Sequence, residues 1–239
     1  MNGIQSVIFT LQHSVFNAAL NFTSRILSVV QLHYFWRLNY TSVFTGIIEK
    51  MGVIKKINTE GRNKHFTISS SIADELQIDQ SVAHSGVCLT VIKVEDNSYT
   101  VTAIDETLTK TNLNNWTIGQ KINLERCMPA HGRFDGHIVQ GHVDSTATCI
   151  SVEDKQGSWV FSFMLSGHSD SSLVVPKGSI CINGISLTVV DIQDRIFSVA
   201  IIPYTYEHTN MHQINVGSIV NIEFDIIGKY IAKMMDGRV

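Results

Sequence analysis

The sequence predicts an all-β protein built as two tandem, duplicated small Greek-key β-barrels, followed by a short C-terminal amphipathic helix. Three observations carry that expectation. The hexapeptide Gly86-Val87-Cys88-Leu89-Thr90-Val91 returns 98 positions later as Gly184-Ile185-Ser186-Leu187-Thr188-Val189. The register then holds without a gap: Thr107 falls on Thr205, Thr111 on Thr209, Asn112 on Asn210, Gly119 on Gly217, Asn123 on Asn221 and Glu125 on Glu223. A fixed offset over that span marks an internal duplication. Finally, short runs of alternating apolar and polar residues, bounded by Gly, Asn and Asp, dominate both halves, and helical spacing is confined to brief stretches.

In chain order, Val43 to about Lys56 alternates loosely and reads as a first strand pair. Asn63–Ser70 reads as a strand and Ser71–Gln77 as a polar loop or short helix. Ser81–His84 leads into a turn at Gly86 and a strand through Val94. Asp96-Asn97-Ser98 turns the chain into a returning strand, Tyr99–Ile104. Asp105–Asn112 opens on an acidic residue and reads as a short helix, and Lys121–Cys127 closes the half. The second half repeats the order, with strands at Thr146–Val152, Ser158–Leu165, Gly178–Ile182, Ile185–Ile192, Phe197–Ile202 and Ser218–Phe224, and a helix at Tyr204–Met211. Beyond it, Ile227, Tyr230, Ile231 and Met234 share one face at helical spacing, an apolar stripe that needs a partner surface. The expected division is a leader at 1–42, barrels at 43–135 and 136–225, and an oligomerisation helix at 226–239.

Composition narrows the function. A net charge of −3, with 18 basic and 21 acidic residues, offers no basic stripe for nucleic acid. The four cysteines, Cys88, Cys127, Cys149 and Cys181, form no C-x-x-C pair, which fits free thiols in a reducing, cytoplasmic setting. Residues 1–42 lack Asp and Glu and carry only Arg25 and Arg37, yet polar residues interrupt them too often for a membrane span. They read as a mis-assigned start upstream of Val43 or as a targeting segment.

Within the repeated strands, Leu89 and Val91 face one side and Cys88 and Thr90 the other; Leu187 and Val189 oppose Ser186 and Thr188 in the same way. Each half thus has an aliphatic face and a face with two small polar groups, open to either solvent or a ligand. Taken alone, Cys88 reads as a structural thiol and the His of the Gly-containing turn as a hydrogen-bonded one. His137 and His142, five apart, do not suit a shared metal site. No glycine-rich nucleotide loop and no G-x-S-x-G elbow is present.

Taken together, Phe44-Thr45-Gly46-Ile47-Ile48-Glu49, Gly86-Val87-Cys88-Leu89-Thr90-Val91, Asn123-Leu124-Glu125-Arg126, Gly136-His137-Ile138-Val139-Gln140-Gly141-His142-Val143-Asp144 and Asn183-Gly184-Ile185-Ser186-Leu187-Thr188-Val189 resemble the riboflavin synthase family of the trimeric, lumazine-dismutating type. The resemblance runs from Val43 to the C-terminus. It departs at Ser85, where the family usually has an Asn whose amide would lie near ligand, and at Val43, where it usually starts with Met.

The resemblance implies a transferase that dismutates two molecules of 6,7-dimethyl-8-ribityllumazine without metal or redox cofactor. It also implies a homotrimer joined by C-terminal helices and an association with lumazine synthase. It assigns Gly46, Ile47, Ile48, Cys88, Leu89 and Thr90 to a first half-site. Thr102, Ala103, Ile104, Asp105, Glu106 and Thr107 join them, with Gly141, His142 and Val143. A second half-site takes Lys177, Ser186, Leu187 and Thr188, then Ala200, Ile201, Ile202, Pro203, Tyr204 and Thr205. His142 and Thr188 are the proton-transfer candidates. Cys88, Ser186 and Asp225 are candidates for assisting addition and orienting the ring. The alternative is a non-catalytic lumazine- or flavin-binding antenna protein on the same scaffold. Such proteins typically lack the Cys at position 88 and alter the second-half Ser-Leu-Thr, and this chain keeps both.

Overall fold

The structure, a computed structural model, describes residues 43–129, 131–167 and 169–237. The leader expected at 1–42 lies outside them.

Two closed six-stranded barrels follow one another, as the duplication requires. The first comprises β1 (Lys50–Glu60), β2 (Asn63–Ser69), β3 (Ser81–His84), β4 (Val87–Glu95), β5 (Ser98–Ala103) and β6 (Lys121–Arg126), in the order β1-β2-β5-β4-β3-β6. The second comprises β7 (Ser145–Asp154), β8 (Trp159–Leu165), β9 (Ser179–Ile182), β10 (Ile185–Gln193), β11 (Ile196–Ile201) and β12 (Ile219–Phe224) with the same connectivity. Among the described residues, closure leaves no unpaired edge in either barrel. It is helped by bulges at matching places, between Val91 and Lys93 in β4 and between Val189 and Asp191 in β10, where strands must bend sharply.

The alternating residues fill each barrel. Leu89, Val91, Val101, Ile122 and Leu124 lie in the first core, and Ile185, Val189, Val199, Val220 and Ile222 in the second. The short helices α1 (Asp105–Lys110) and α2 (Pro203–His208) end earlier than the expected Asn112 and Met211. In both, a repeated threonine stops the helix. Thr111 and Thr209 are extended, and each hydroxyl accepts the N–H two residues on (3.3 Å in both), starting the 3-10 turns Asn112–Asn115 and Asn210–Gln213. A third helix, α3 (Ile226–Met235), leaves Ile227, Tyr230, Ile231 and Met234 exposed. Among the described residues, no helix is long and apolar enough to cross a membrane.

The expected strand pair at Val43–Lys56 is instead one long strand from Lys50, preceded by an irregular segment. Gly46, at φ +75°, breaks the extended run, and Phe44 pairs with Val139 from the lead-in to the second barrel.

The repeated glycines sit where the barrels meet. Ser85-Gly86 and Asn183-Gly184 are two-residue hairpin turns with positive φ at both positions, the type I′ pattern. A Cβ on Gly86 would stand 2.7 Å from the backbone N of Gly184, so the turns stack without room for a side chain. Around them the repeated asparagines cross-link the halves. Asn123 Nδ2 donates to Asn183 O (2.9 Å), Asn221 Nδ2 to Ser85 O (3.0 Å), Asn112 N to Asn221 Oδ1 (2.8 Å) and Asn210 N to Asn123 Oδ1 (2.7 Å). Ser85 itself is 1% exposed. The expectation that an amide at this position would lie near ligand is therefore corrected: the turn packs it between barrels.

Candidate functional site

The polar faces of β4 and β10 open outward from their barrels. Cys88 and Ser186 are half-buried, and Thr90 and Thr188 are exposed. Burial raises the Cys88 thiol above its ordinary range, with a contact to Ser81 opposing the rise. Leu89 belongs to the first core, and Leu187 packs against the second.

Each polar strand is flanked by a segment that leads into the other barrel. Cys88 N–H donates to Gly141 O (2.8 Å), and a Cβ on Gly141 would lie 2.6 Å from Cys88 Cβ. Ser186 N–H donates to Gly46 O (2.8 Å), and a Cβ on Gly46 would lie 2.7 Å from Ser186 Cβ. At φ +77° and +75° these two positions need glycine on both counts. Val143 correspondingly packs on the first core and Ile48 on the second. The segment Gly46–Ile48, expected in the first half-site, therefore lies with Ser186 in the second; Gly141–Val143 lies with Cys88.

The remaining expected residues flank these strands. In the first half, Thr102 Oγ1 is 2.9 Å from His65 Nδ1, and Ala103 is fully buried. Ile104, Asp105 and Glu106 are exposed, Asp105 near Arg62 (3.5 Å) and Glu106 bonded to Lys110 (2.9 Å); Thr107 is half-buried. In the second half, Ile201 is fully buried, Ala200, Pro203 and Lys177 are exposed, and Thr205 is half-buried. Ile202 and Tyr204 project apolar surface into solvent at 60% and 68% exposure. His142 is exposed. Asp225 caps α3 by accepting Ile227 N–H (3.0 Å).

Three further residues belong to this geometry. His137 Nδ1 lies 2.7 Å from Ser186 Oγ; burial lowers its pKa, with Asp225 pulling the other way. Among the described residues, its Nε2 is buried without a partner. Glu125 and Glu223, 4% and 2% exposed, receive backbone N–H groups from the lead-in segments, and burial outweighs those bonds to push both carboxyls up to about 7. The available signal was a carboxylate repeated in otherwise apolar strands, Ile122-Asn123-Leu124-Glu125 and Val220-Asn221-Ile222-Glu223. A cavity of about 220 Å³ opens beside Glu125, lined by Thr45, Ile47 and Cys127 among others. Burial pushes the Cys127 thiol up to about 11. Among the described residues, no cluster of three or more His, Cys, Asp or Glu could hold a metal.

Two closed barrels with like but unequal polar strands define a duplicated-barrel protein carrying two candidate half-sites for small molecules. The model of the lumazine binding domain matches residues 45–127 and again 140–225, one match per barrel. Riboflavin synthase of Bacillus amyloliquefaciens is 41% identical over 194 residues, covering 81% of this chain and 90% of that one. The riboflavin synthase of Actinobacillus pleuropneumoniae matches at the same identity and coverage, and that of Saccharomyces cerevisiae is 36% identical over 205 residues, 81% of this chain and 86% of its own. The chain belongs to the riboflavin synthase family. Among solved structures, LumP complexed with riboflavin superposes with a TM-score of 0.70 at 23% identity, covering 76% of this chain and 98% of that one. LumP complexed with 6,7-dimethyl-8-(1'-D-ribityl) lumazine gives 0.69 at 22%, covering 75% and 98%. These two likenesses concern the fold.

Proposed function

We infer that this chain is a riboflavin synthase, which converts two molecules of 6,7-dimethyl-8-ribityllumazine into riboflavin and 5-amino-6-(ribitylamino)uracil. The observation that carries the reading is 41% identity to riboflavin synthases along nine-tenths of their length. The retained Cys88 and Ser186-Leu187-Thr188 support it over the antenna alternative. We place the function in residues 43–239.

The reaction is a dismutation. One lumazine gives up a four-carbon unit, the other receives it, and no atom is added or lost. Two identical substrates must be held face to face yet treated differently, so orientation supplies much of the rate. The unequal halves suit this need: Cys88 answers to Ser186 and Cys127 to Asp225. In this reading His142 and Thr188 move protons at the acidic methyl of one substrate. Cys88, Ser186 and Asp225 assist addition to the other's ring. Gly46, Gly141 and the exposed apolar rim of Ile47, Ile104 and Ile202 bound the ring faces.

The outward opening of both polar faces supports closure by a second chain, and the exposed stripe of α3 supports a homotrimer. Association with lumazine synthase and a cytoplasmic setting complete the proposal. Incubating the purified protein with the lumazine tests it. The expected result is riboflavin and the pyrimidinedione in equal amounts; retention of the lumazine in bound, unreacted form would instead identify a binder.

A further inference from the structure

We propose that Glu125 and Glu223 are positioning residues that act crosswise, each carboxylate setting the geometry of the polar strand of the opposite barrel. The idea deepens the riboflavin synthase reading and rests on it for its catalytic consequence.

Glu125 stands on β6, in the first barrel. Its Oε1 accepts from Thr45 N–H (2.6 Å) and Thr45 Oγ1–H (2.8 Å), and its Oε2 from Gly46 N–H (2.9 Å). The other side of the same short segment faces the second barrel, where Gly46 O accepts Ser186 N–H at 2.8 Å. Glu223, on β12 of the second barrel, repeats the device. Its Oε1 accepts from Gln140 N–H (2.7 Å), and its Oε2 from Gly141 N–H (2.9 Å) and His142 N–H (3.0 Å). Gly141 O then accepts Cys88 N–H, in the first barrel, at 2.8 Å.

Each link is short and rigid. The glycines have no side chain to yield, and a methyl added at either would collide with Ser186 or Cys88. Both carboxylates are buried, so their three bonds are made in a low-dielectric setting where an unsatisfied group is costly. A buried acid repeated at the same register in both halves is otherwise an expensive way to fill a strand position. Its return is coupling: the ligand-facing residues of one barrel are held by a charge in the other. His142, a proton-transfer candidate, is held through its own N–H by the same carboxylate that fixes Cys88.

Glu125→Gln and Glu223→Gln keep shape and volume. Whichever way the amide turns, at least one backbone N–H loses its acceptor and meets an NH2 group: Thr45 or Gly46 at position 125, and Gln140 alone or both Gly141 and His142 at position 223. Hydrogen exchange of the Ser186 and Cys88 amides, read by fragment mass spectrometry on the full chain, reports each link directly. Glu125→Gln should speed exchange at Ser186 by at least about tenfold and leave Cys88 within about twofold; Glu223→Gln should do the reverse. Changes confined to the substituted barrel, or equal at both amides in folded protein, overturn the proposal. Circular dichroism monitors folding. Should a Gln variant unfold, Gly46→Ala and Gly141→Ala strain the same links from the other end and must give the same crossed pattern, or the proposal falls. Turnover of the unsubstituted protein is measured alongside. Absence of riboflavin sinks the functional reading and leaves the exchange test standing; riboflavin with an uncrossed exchange pattern sinks the brace.

Discussion

Ser85→Asn should stabilise the protein by about 1 kcal/mol without changing turnover. Ser85 occupies the first central position of a type I′ turn at φ +44°, where a non-glycine side chain is strained and Asn is better tolerated than Ser. The second barrel shows what Asn does there: Asn183 Oδ1 accepts Asn221 N–H at 2.9 Å, whereas Ser85 Oγ meets the matching Asn123 N–H at a long 3.3 Å. A cavity of about 90 Å³ lined by Ser85, Asn112, Asn183 and Asn210 leaves room for the larger side chain. Relief of turn strain and one improved buried hydrogen bond are each worth roughly 0.5–1 kcal/mol. Partial loss of the 3.4 Å contact from Asn210 Nδ2 offsets some of this. For a folded unit of this size, about 1 kcal/mol raises Tm by about 2–4 °C. Calorimetry and urea titration at constant m-value measure the change, and a parallel assay measures riboflavin formation. An unchanged or lower Tm would refute the turn argument. A change in lumazine affinity would show that position 85 reaches the ligand after all.

Cys88→Ser should cut turnover strongly while leaving lumazine affinity within about tenfold, about 1.4 kcal/mol; near-normal turnover would make Cys88 a packing residue. The buried carboxyls give a pH signature. Each holds its proton to about 7 in the native state against an ordinary 4.5, so the stabilisation present below 4.5 is lost as pH rises through 7, by roughly 3 kcal/mol per group. His84 opposes this at lower pH: burial lowers it from 6.5 to about 4, so its contribution is present above 6.5 and lost as pH falls through 4. The urea midpoint of Glu223→Gln should therefore change less between pH 5 and 8 than that of the parent, and an equal change contradicts the assignment. Turnover should rise over the same interval, because the braces work as carboxylates. Gly141→Ala, which forces a methyl against Cys88, should reduce turnover at least about tenfold while the second barrel's core melts normally; full activity would show that the junction is loose.

The barrels were legible because alternation and an unbroken repeat constrain strands strongly. Leu89, Val91, Leu187 and Val189 turn inward as their spacing requires, and the register of Asn123 on Asn221 is an interface written twice. The crossing of the lead-in segments was not legible. Nothing local in Phe44-Thr45-Gly46 tells which barrel it packs on; that depends on Phe44 pairing with Val139, 95 residues away, and on Glu125 gripping its N–H groups. The acidic start of Asp105–Asn112 and its repeat likewise carried the expected helices past Lys110 and His208, because neither signal says where a threonine hydroxyl will capture an N–H two residues on and stop the helix.

Complementation between two crippled chains tests most directly whether unlike half-sites of different subunits form the catalytic pair. One chain carries Cys88→Ala, the other Ser186→Ala with Asp225→Ala, and the two are refolded together after each is shown to be inactive. A shared site joins an intact first half to an intact second half at some interfaces, so activity should rise above the sum of the parents toward the fraction set by random mixing. With mixed oligomers confirmed by mass, no recovery would contradict the shared site and return both half-sites to a single chain.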